Sequence, residues 1–311
     1  MFVNGRSNKK LSTSSHGLSR PHHGYHLVDP SPWPALTRLC VMWMLVSLVL
    51  VFHQYAGAPT LALIAFLAVN YSAFLWWRDV NREGVEGFHT SKVKNGLHLG
   101  MMLFIWSERM FFVGLLWAFL HAALMPTIQV GMSWPPVGIV PVHWLSLPRT
   151  NTLLLLRSYF TANAAKHAMD HNNKSLCKLH LRTTIGLGLL FVYCQYLEYT
   201  GAAFTFSDTV FGSAFYLTTG FHGLHVILGF LYLTVCYITL NSAAPGRCTA
   251  MDLAILYWHF VDVVWVGLLI IIYIWGCAVP RSELEACADG SCALYTVLYE
   301  RKSHEFAHPT L

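Results

Sequence analysis

Charge is scarce in this chain. Only 11% of its 311 residues are Asp, Glu, Lys or Arg, while 55% are hydrophobic and the mean hydropathy is +0.47. Soluble domains carry about 25% charged residues, so a water-soluble fold would leave too much apolar surface in water. That shortage points to the membrane class. No pair among the eight cysteines (Cys40, Cys177, Cys194, Cys236, Cys248, Cys277, Cys287 and Cys292) has C-x-x-C spacing. Zinc-ribbon and thioredoxin readings are therefore excluded. There is no phosphate-binding glycine loop, no Ser or Cys nucleophile constellation, and no internal or inverted repeat of the transporter kind. Acids are missing from residues 1–26, which carry Arg6, Lys9, Lys10 and Arg20. This stretch resembles an organelle transit segment and is expected to be retained as a basic extension.

What is there is a series of apolar runs, at 33–54, 59–84, 91–125, 150–169, 176–200, 209–240 and 250–277. Each reaches the ~20 residues that cross about 30 Å of hydrocarbon at 1.5 Å per residue. The fourth is the weakest, because Arg157 interrupts it and its end is polar. Pro59 is placed to open the second helix, whereas Pro126, Pro135, Pro136, Pro141 and Pro148 mark the third connection as non-helical. With seven crossings and the N-terminus inside, fourteen Lys and Arg fall inside and four outside, leaving Arg109 and Arg157 within helices. This bias predicts an inside N-terminus and an outside C-terminus. The last stretch, 278–311, reads as a polar extension in which Cys287 and Cys292 could pair, with Cys277 nearby, in an oxidising compartment.

Ionisable groups in hydrocarbon are costly unless paired, hydrated or neutral, so each needs an explanation. Glu108, midway along the third run, is expected to be protonated; it either relays protons or hydrogen-bonds to another helix. Its neighbour Arg109 points about 100° away around the helix and needs its own partner or must snorkel. Glu198 and Asp208 read as structural, Asp208 as a cap on the sixth helix. His222 and His225, three apart, share a helix face; they could ligate a metal or haem, or tie helices together. The same choice holds for His259 and Asp262, an imidazole with a carboxylate in reach.

Several stretches carry a family resemblance over roughly 24–277: His26-Leu-Val-Asp-Pro-Ser-Pro-Trp33-Pro, Trp76-Trp-Arg-Asp-Val80 with Arg82-Glu83 and His89-Thr90, Gly100 to Trp117, and Trp134-Pro-Pro. Thr219-Gly-Phe-His-Gly-Leu-His225 and Tyr257-Trp-His-Phe-Val-Asp-Val-Val-Trp265 complete the set. In this order and spacing they resemble cytochrome c oxidase subunit III. The resemblance implies an all-α membrane protein of seven transmembrane helices, in a two-plus-five arrangement with a lipid-filled cleft. It implies a family domain over 27–277 between extensions at 1–26 and 278–311, in the mitochondrial inner membrane, with the N-terminus in the matrix and the C-terminus in the intermembrane space. It also implies no metal, catalytic residue or redox centre in this chain. Haem a, haem a3 and copper would lie in partner subunits: direct contact with subunit I, then subunit II and accessory subunits, with a respiratory supercomplex as a further setting and no nucleic acid. By resemblance Glu108 matches the family's carbodiimide-reactive carboxylate, and Trp77, Arg82, Glu83, His89 and His225 match its lipid-binding positions. Glu198, His222, His259 and Asp262 are expected to make polar contacts between helices.

The chain departs from the family pattern at Ala164-Ala-Lys-His167, at Ile238 and Thr239, at Asp252, and at Arg109 and Arg157. Two other classes fit parts of the pattern: a transporter using Glu108 and His222, and a cytochrome using His121, His222, His225 and His259. A bacterial quinol oxidase's third subunit is a near relative of the resembled family.

Overall fold

The computed structural model describes residues 24–136, 138–240 and 249–277. The basic stretch before residue 24 and the expected pairing of Cys287 and Cys292 therefore lie outside the described residues. Among those described there are seven α-helices and no strand: α1 Trp33–Phe52, α2 Ala58–Glu86, α3 Ser91–Leu124, α4 Leu147–Asp170, α5 Lys174–Gly201, α6 Val210–Thr239 and α7 Thr249–Leu268. A π-helical turn, Leu269–Trp275, continues α7. All but α4 are long and apolar enough to cross a membrane. Cys40, Cys177, Cys194, Cys236 and Cys277 are thiols.

Helices suit this composition because each satisfies its own backbone hydrogen bonds, which hydrocarbon cannot do. Their ends follow from local chemistry. Prolines sit in the first turns of α1, α2 and α4, where the missing N–H has no intrahelical partner to lose. Pro148 therefore opens α4 and does not belong to the preceding connection, correcting the expectation above. Gly87, with φ +90°, ends α2 in the left-handed conformation, and its N–H bonds the Glu83 carbonyl. Asn173 caps α5 by accepting from the Leu176 N–H at 3.1 Å. Thr209, rather than the expected Asp208, is the N-cap residue of α6, and Asp208 bonds into the turn before it. It accepts from the Thr205 N–H at 2.7 Å and the Thr205 hydroxyl at 2.8 Å, closing the preceding turn.

The chain divides into two compact units, 1–97 and 98–311, with the boundary inside α3. In the first, α1 and α2 pair as an antiparallel hairpin. Thr37 Oγ1 donates to Ser72 Oγ at 3.1 Å, and Trp33 Nε1 donates to Asp79 Oδ2 at 2.6 Å.

In the second unit, α5 packs against α4 and α6, and α7 against α4 and α6. Aromatic contacts bring α3 onto this group: Phe111 meets Phe221 at 4.9 Å, and Phe112 meets Phe260 at 6.3 Å. The core is centred on α7, whose Trp258 and Trp265 are almost wholly enclosed. Both indoles donate to hydroxyls of α4, Trp258 to Ser158 at 2.9 Å and Trp265 to Thr152 at 3.0 Å. The Trp258 ring fits between two glycines. A Cβ on Gly188 of α5 or Gly229 of α6 would lie 2.8 Å from a ring carbon.

Gly188→Ala and Gly229→Ala should therefore each displace Trp258 and strain its bond to Ser158. Overpacking of this kind costs about 1–3 kcal/mol. A lowered thermal midpoint in the purified protein would show it; a midpoint equal to wild type in both variants would mean that the ring can shift freely.

Candidate functional site

The predicted residues fall in five places, each assembled by different elements. Glu108 of α3 meets His225 of α6, with Oε2 and Nε2 3.0 Å apart. His225 Nδ1 is 2.6 Å from the Phe221 carbonyl. A carbonyl can only accept, so Nδ1 carries a hydrogen. Nε2 must then either accept from a protonated Glu108 or, as imidazolium, donate to its carboxylate. The pair thus holds one proton shared between two atoms. Phe112 at 5.0 Å, with Phe260 and Tyr257 farther out, encloses the imidazole, and removal from water strengthens such a bond.

His222 turns elsewhere despite its spacing from His225. Its Nε2 donates to the Val261 carbonyl of α7 at 3.2 Å, and its ring packs against Phe191 and Trp265. His259 Nε2 donates to Asn163 Oδ1 of α4 at 3.2 Å, while its Nδ1 lies 3.7 Å from Asp262 Oδ2. That separation is too long for a hydrogen bond, so Asn163 rather than Asp262 orients the ring. Glu198 of α5 accepts from the Tyr273 hydroxyl at 2.6 Å. Among the described residues, no three His, Cys, Asp or Glu side chains are grouped to hold a metal ion.

The first unit holds four of the named residues. Glu83 lies 3.3 Å from His26 Nε2, and Arg82 reaches Asp79 at 4.0 Å. His89 lies in the link between α2 and α3, tilted against the His26 ring at 5.9 Å. Gly84 leaves room for it, since a Cβ there would stand 3.1 Å from the His89 ring. Burial holds the His89 imidazole below its usual pKa; the nearby His26 and Lys94 act in the same sense and Glu83 opposes them. Trp77 is exposed on α2. His225, the fifth position, belongs to the other unit.

Sequence reading did not single out several contacts. Arg78 pairs with Asp79 at 2.9 Å, and Lys166 of α4 pairs with Asp252 of α7 at 3.3 Å. Gln195 Nε2 donates to the Thr219 carbonyl and to the Tyr199 hydroxyl, both at 2.9 Å. Trp33 and Arg78-Asp79 lie in motifs already noted, which was a usable signal; Gln195 carried none. Arg109 finds its own partner, standing over the Trp106 ring at 4.8 Å.

These observations define a polytopic helical membrane protein in which several buried polar groups are paired across helices. The family model for cytochrome c oxidase subunit III matches residues 23–277. Curated relatives named cytochrome c oxidase subunit 3 are similar over nearly their whole length. That of Prototheca wickerhamii is 43% identical over 257 residues, covering 82% of this chain and 98% of its own. Those of Ornithorhynchus anatinus and Homo sapiens are 44% and 43% identical over 262 residues, covering 83% of this chain and all of theirs. The chain belongs to the cytochrome c oxidase subunit III family.

Two outcomes follow. Tyr273→Phe removes the donor to Glu198, a carboxyl only 3% exposed, and should destabilise the protein by about 1–3 kcal/mol. Denaturation of the variant at the wild-type temperature would show Glu198 to be held by something else. For His89, the folded pKa lies below the unfolded one. Its contribution is therefore present above the unfolded value of about 6.5 and is lost as pH falls through the folded value. Thermal midpoints measured from pH 7.5 to 5 should fall less steeply in His89→Gln than in wild type, and parallel curves would rule this out.

Proposed function

We propose that this chain, a core subunit of cytochrome c oxidase by its family, works without a redox centre or catalytic site of its own. It braces the subunit that carries haem and copper, subunit I, and holds phospholipid beside it. In this role it supports proton uptake or oxygen access while electrons pass from cytochrome c to oxygen. Subunit II and the accessory subunits complete its surroundings, in the mitochondrial inner membrane. The chain crosses seven times, with α4 as the fourth crossing, α1 and α2 grouped apart from α3–α7, and lipid in the cleft between the groups. Residues 1–26 extend into the matrix and 278–311 into the intermembrane space, in line with the excess of basic residues on the inner side.

The observation that carries this reading is the Glu108–His225 pair. It is a protonatable group at membrane depth, on a family position, enclosed by aromatic rings and engaged with protein rather than turned toward an open ligand site. Trp77, Arg82, Glu83, His89 and His225 serve the lipid: charge for the phosphate, indole for the interface. Of the histidines open to a cytochrome reading, His222, His225 and His259 each have a separate protein partner, and His121 is exposed on α3. That distribution favours bracing over cofactor ligation.

Optical spectra test the redox-silent role. The complex purified through a tag on this chain should show haem a, and the chain stripped from it should show none; haem remaining with the stripped chain would make it a cytochrome. Glu108→Gln in the assembled oxidase should leave the haem spectrum and initial turnover intact while activity decays sooner during sustained turnover. A decay curve identical to wild type would remove Glu108 from proton uptake.

A further inference from the structure

The face of α4 turned away from the bundle carries a charge that no described residue neutralises. Asn151, Leu155, Ser158, Ala162 and Ala165 point inward and are buried, while Leu153, Leu156, Arg157 and Phe160 are exposed. Arg157 forms no ion pair, hydrogen bond or ring stack with the described residues, unlike Arg109 over Trp106. Its depth makes this consequential. The 24 residues of α4 span about 36 Å at ~1.5 Å per residue, and Arg157 lies about 2 Å from the midpoint. In a hydrocarbon layer of about 30 Å, centred on the helix, the nearer headgroup region is then roughly 13 Å away along the helix axis, too far for snorkelling to bring the guanidinium to a lipid phosphate.

We infer that this face of α4 is the docking surface for a transmembrane helix of another subunit, which presents a carboxylate to Arg157. The exposed Leu153, Leu156 and Phe160 supply apolar contact around the guanidinium. Arg and carboxylate meet in a two-pronged bond of fixed geometry, and pairing is how charges are accommodated at membrane depth. A second copy of this chain does not fit. Away from the helix ends, where Glu86 and Asp170 lie in the last turns of α2 and α4, its described carboxylates are engaged: Asp79 with Trp33 and Arg78, Glu83 with His26, Glu108 with His225, Asp252 with Lys166, and Glu198 with Tyr273. Asp262 is mostly buried beside His259.

The inference rests on the reading of α4 as a membrane crossing, and the test separates the two. The assembled oxidase carrying Arg157→Lys is treated with dicyclohexylcarbodiimide. The activated partner carboxyl is attacked by the introduced ε-amine, an amide forms, and dicyclohexylurea leaves. Mass spectrometry should find this chain joined at position 157 to a second subunit; wild type should give no adduct there, because a guanidinium does not condense in this way. In mild detergent, Arg157→Leu should lose that subunit at least tenfold relative to wild type, while Arg157→Lys retains it. An adduct confined to this chain, or no adduct together with full retention of every subunit in Arg157→Leu, would overturn the docking surface. If a membrane-impermeant amine reagent labels the introduced lysine in sealed membranes, α4 lies in water, and both the crossing and the inference built on it fall.

Discussion

Polar groups inside a membrane must find partners within the protein, and this constraint organises the structure. Helices answer it for the backbone. For side chains it is answered pair by pair between helices: Glu108 with His225, Glu198 with Tyr273, His259 with Asn163, Lys166 with Asp252. Each pair links two segments that apolar packing alone would allow to slide or rotate, since lipid tails are as apolar as leucine. The bonds therefore set register, and the aromatic rings packed around them exclude alternatives.

The constraint also explains why α4 is the least apolar helix. Its Thr152, Ser158, Thr161 and Asn163 face neighbours that need acceptors or donors: the indoles of Trp265 and Trp258, the hydroxyl of Thr184 and the imidazole of His259. Part of its low hydropathy comes from these inward-turned groups, which bond to neighbouring helices. Tyr273 is a second instance. It reaches Glu198 from a π-helical turn at the end of α7, a local widening that is uncommon and tends to occur where a side chain must be re-aimed.

A bundle in which most of the buried ionisable groups named above bond to protein partners suits a supporting subunit better than a ligand-binding one. The Glu108–His225 pair differs from the rest because the hydrogen bond to Phe221 leaves it with a single shared proton. That gives the proposed link to proton uptake a physical carrier.

Much was legible in the primary structure. The apolar runs locate the helices to within a few residues, because twenty consecutive apolar residues have few other folded states, and Pro59 marks the start of α2 by its backbone restriction. Glu108, Glu198, His225 and His259 could be flagged as residues in need of partners, because isolated charge and hydrogen-bonding capacity are costly in hydrocarbon. Which partner each obtains was not readable. Glu108 and His225 lie 117 residues apart, and the spacing that put His222 and His225 on one face did not tell which helix each ring would serve. Asp208 and Pro148 were misplaced for a related reason: a cap and a first-turn proline depend on where the chain turns, and neighbouring segments decide that. Composition and periodicity thus determined the class of protein, its helices and its chemically demanding residues. Only the tertiary structure decided the pairings, because a partner is selected by distance and direction across helices, and neither is encoded by order along the chain.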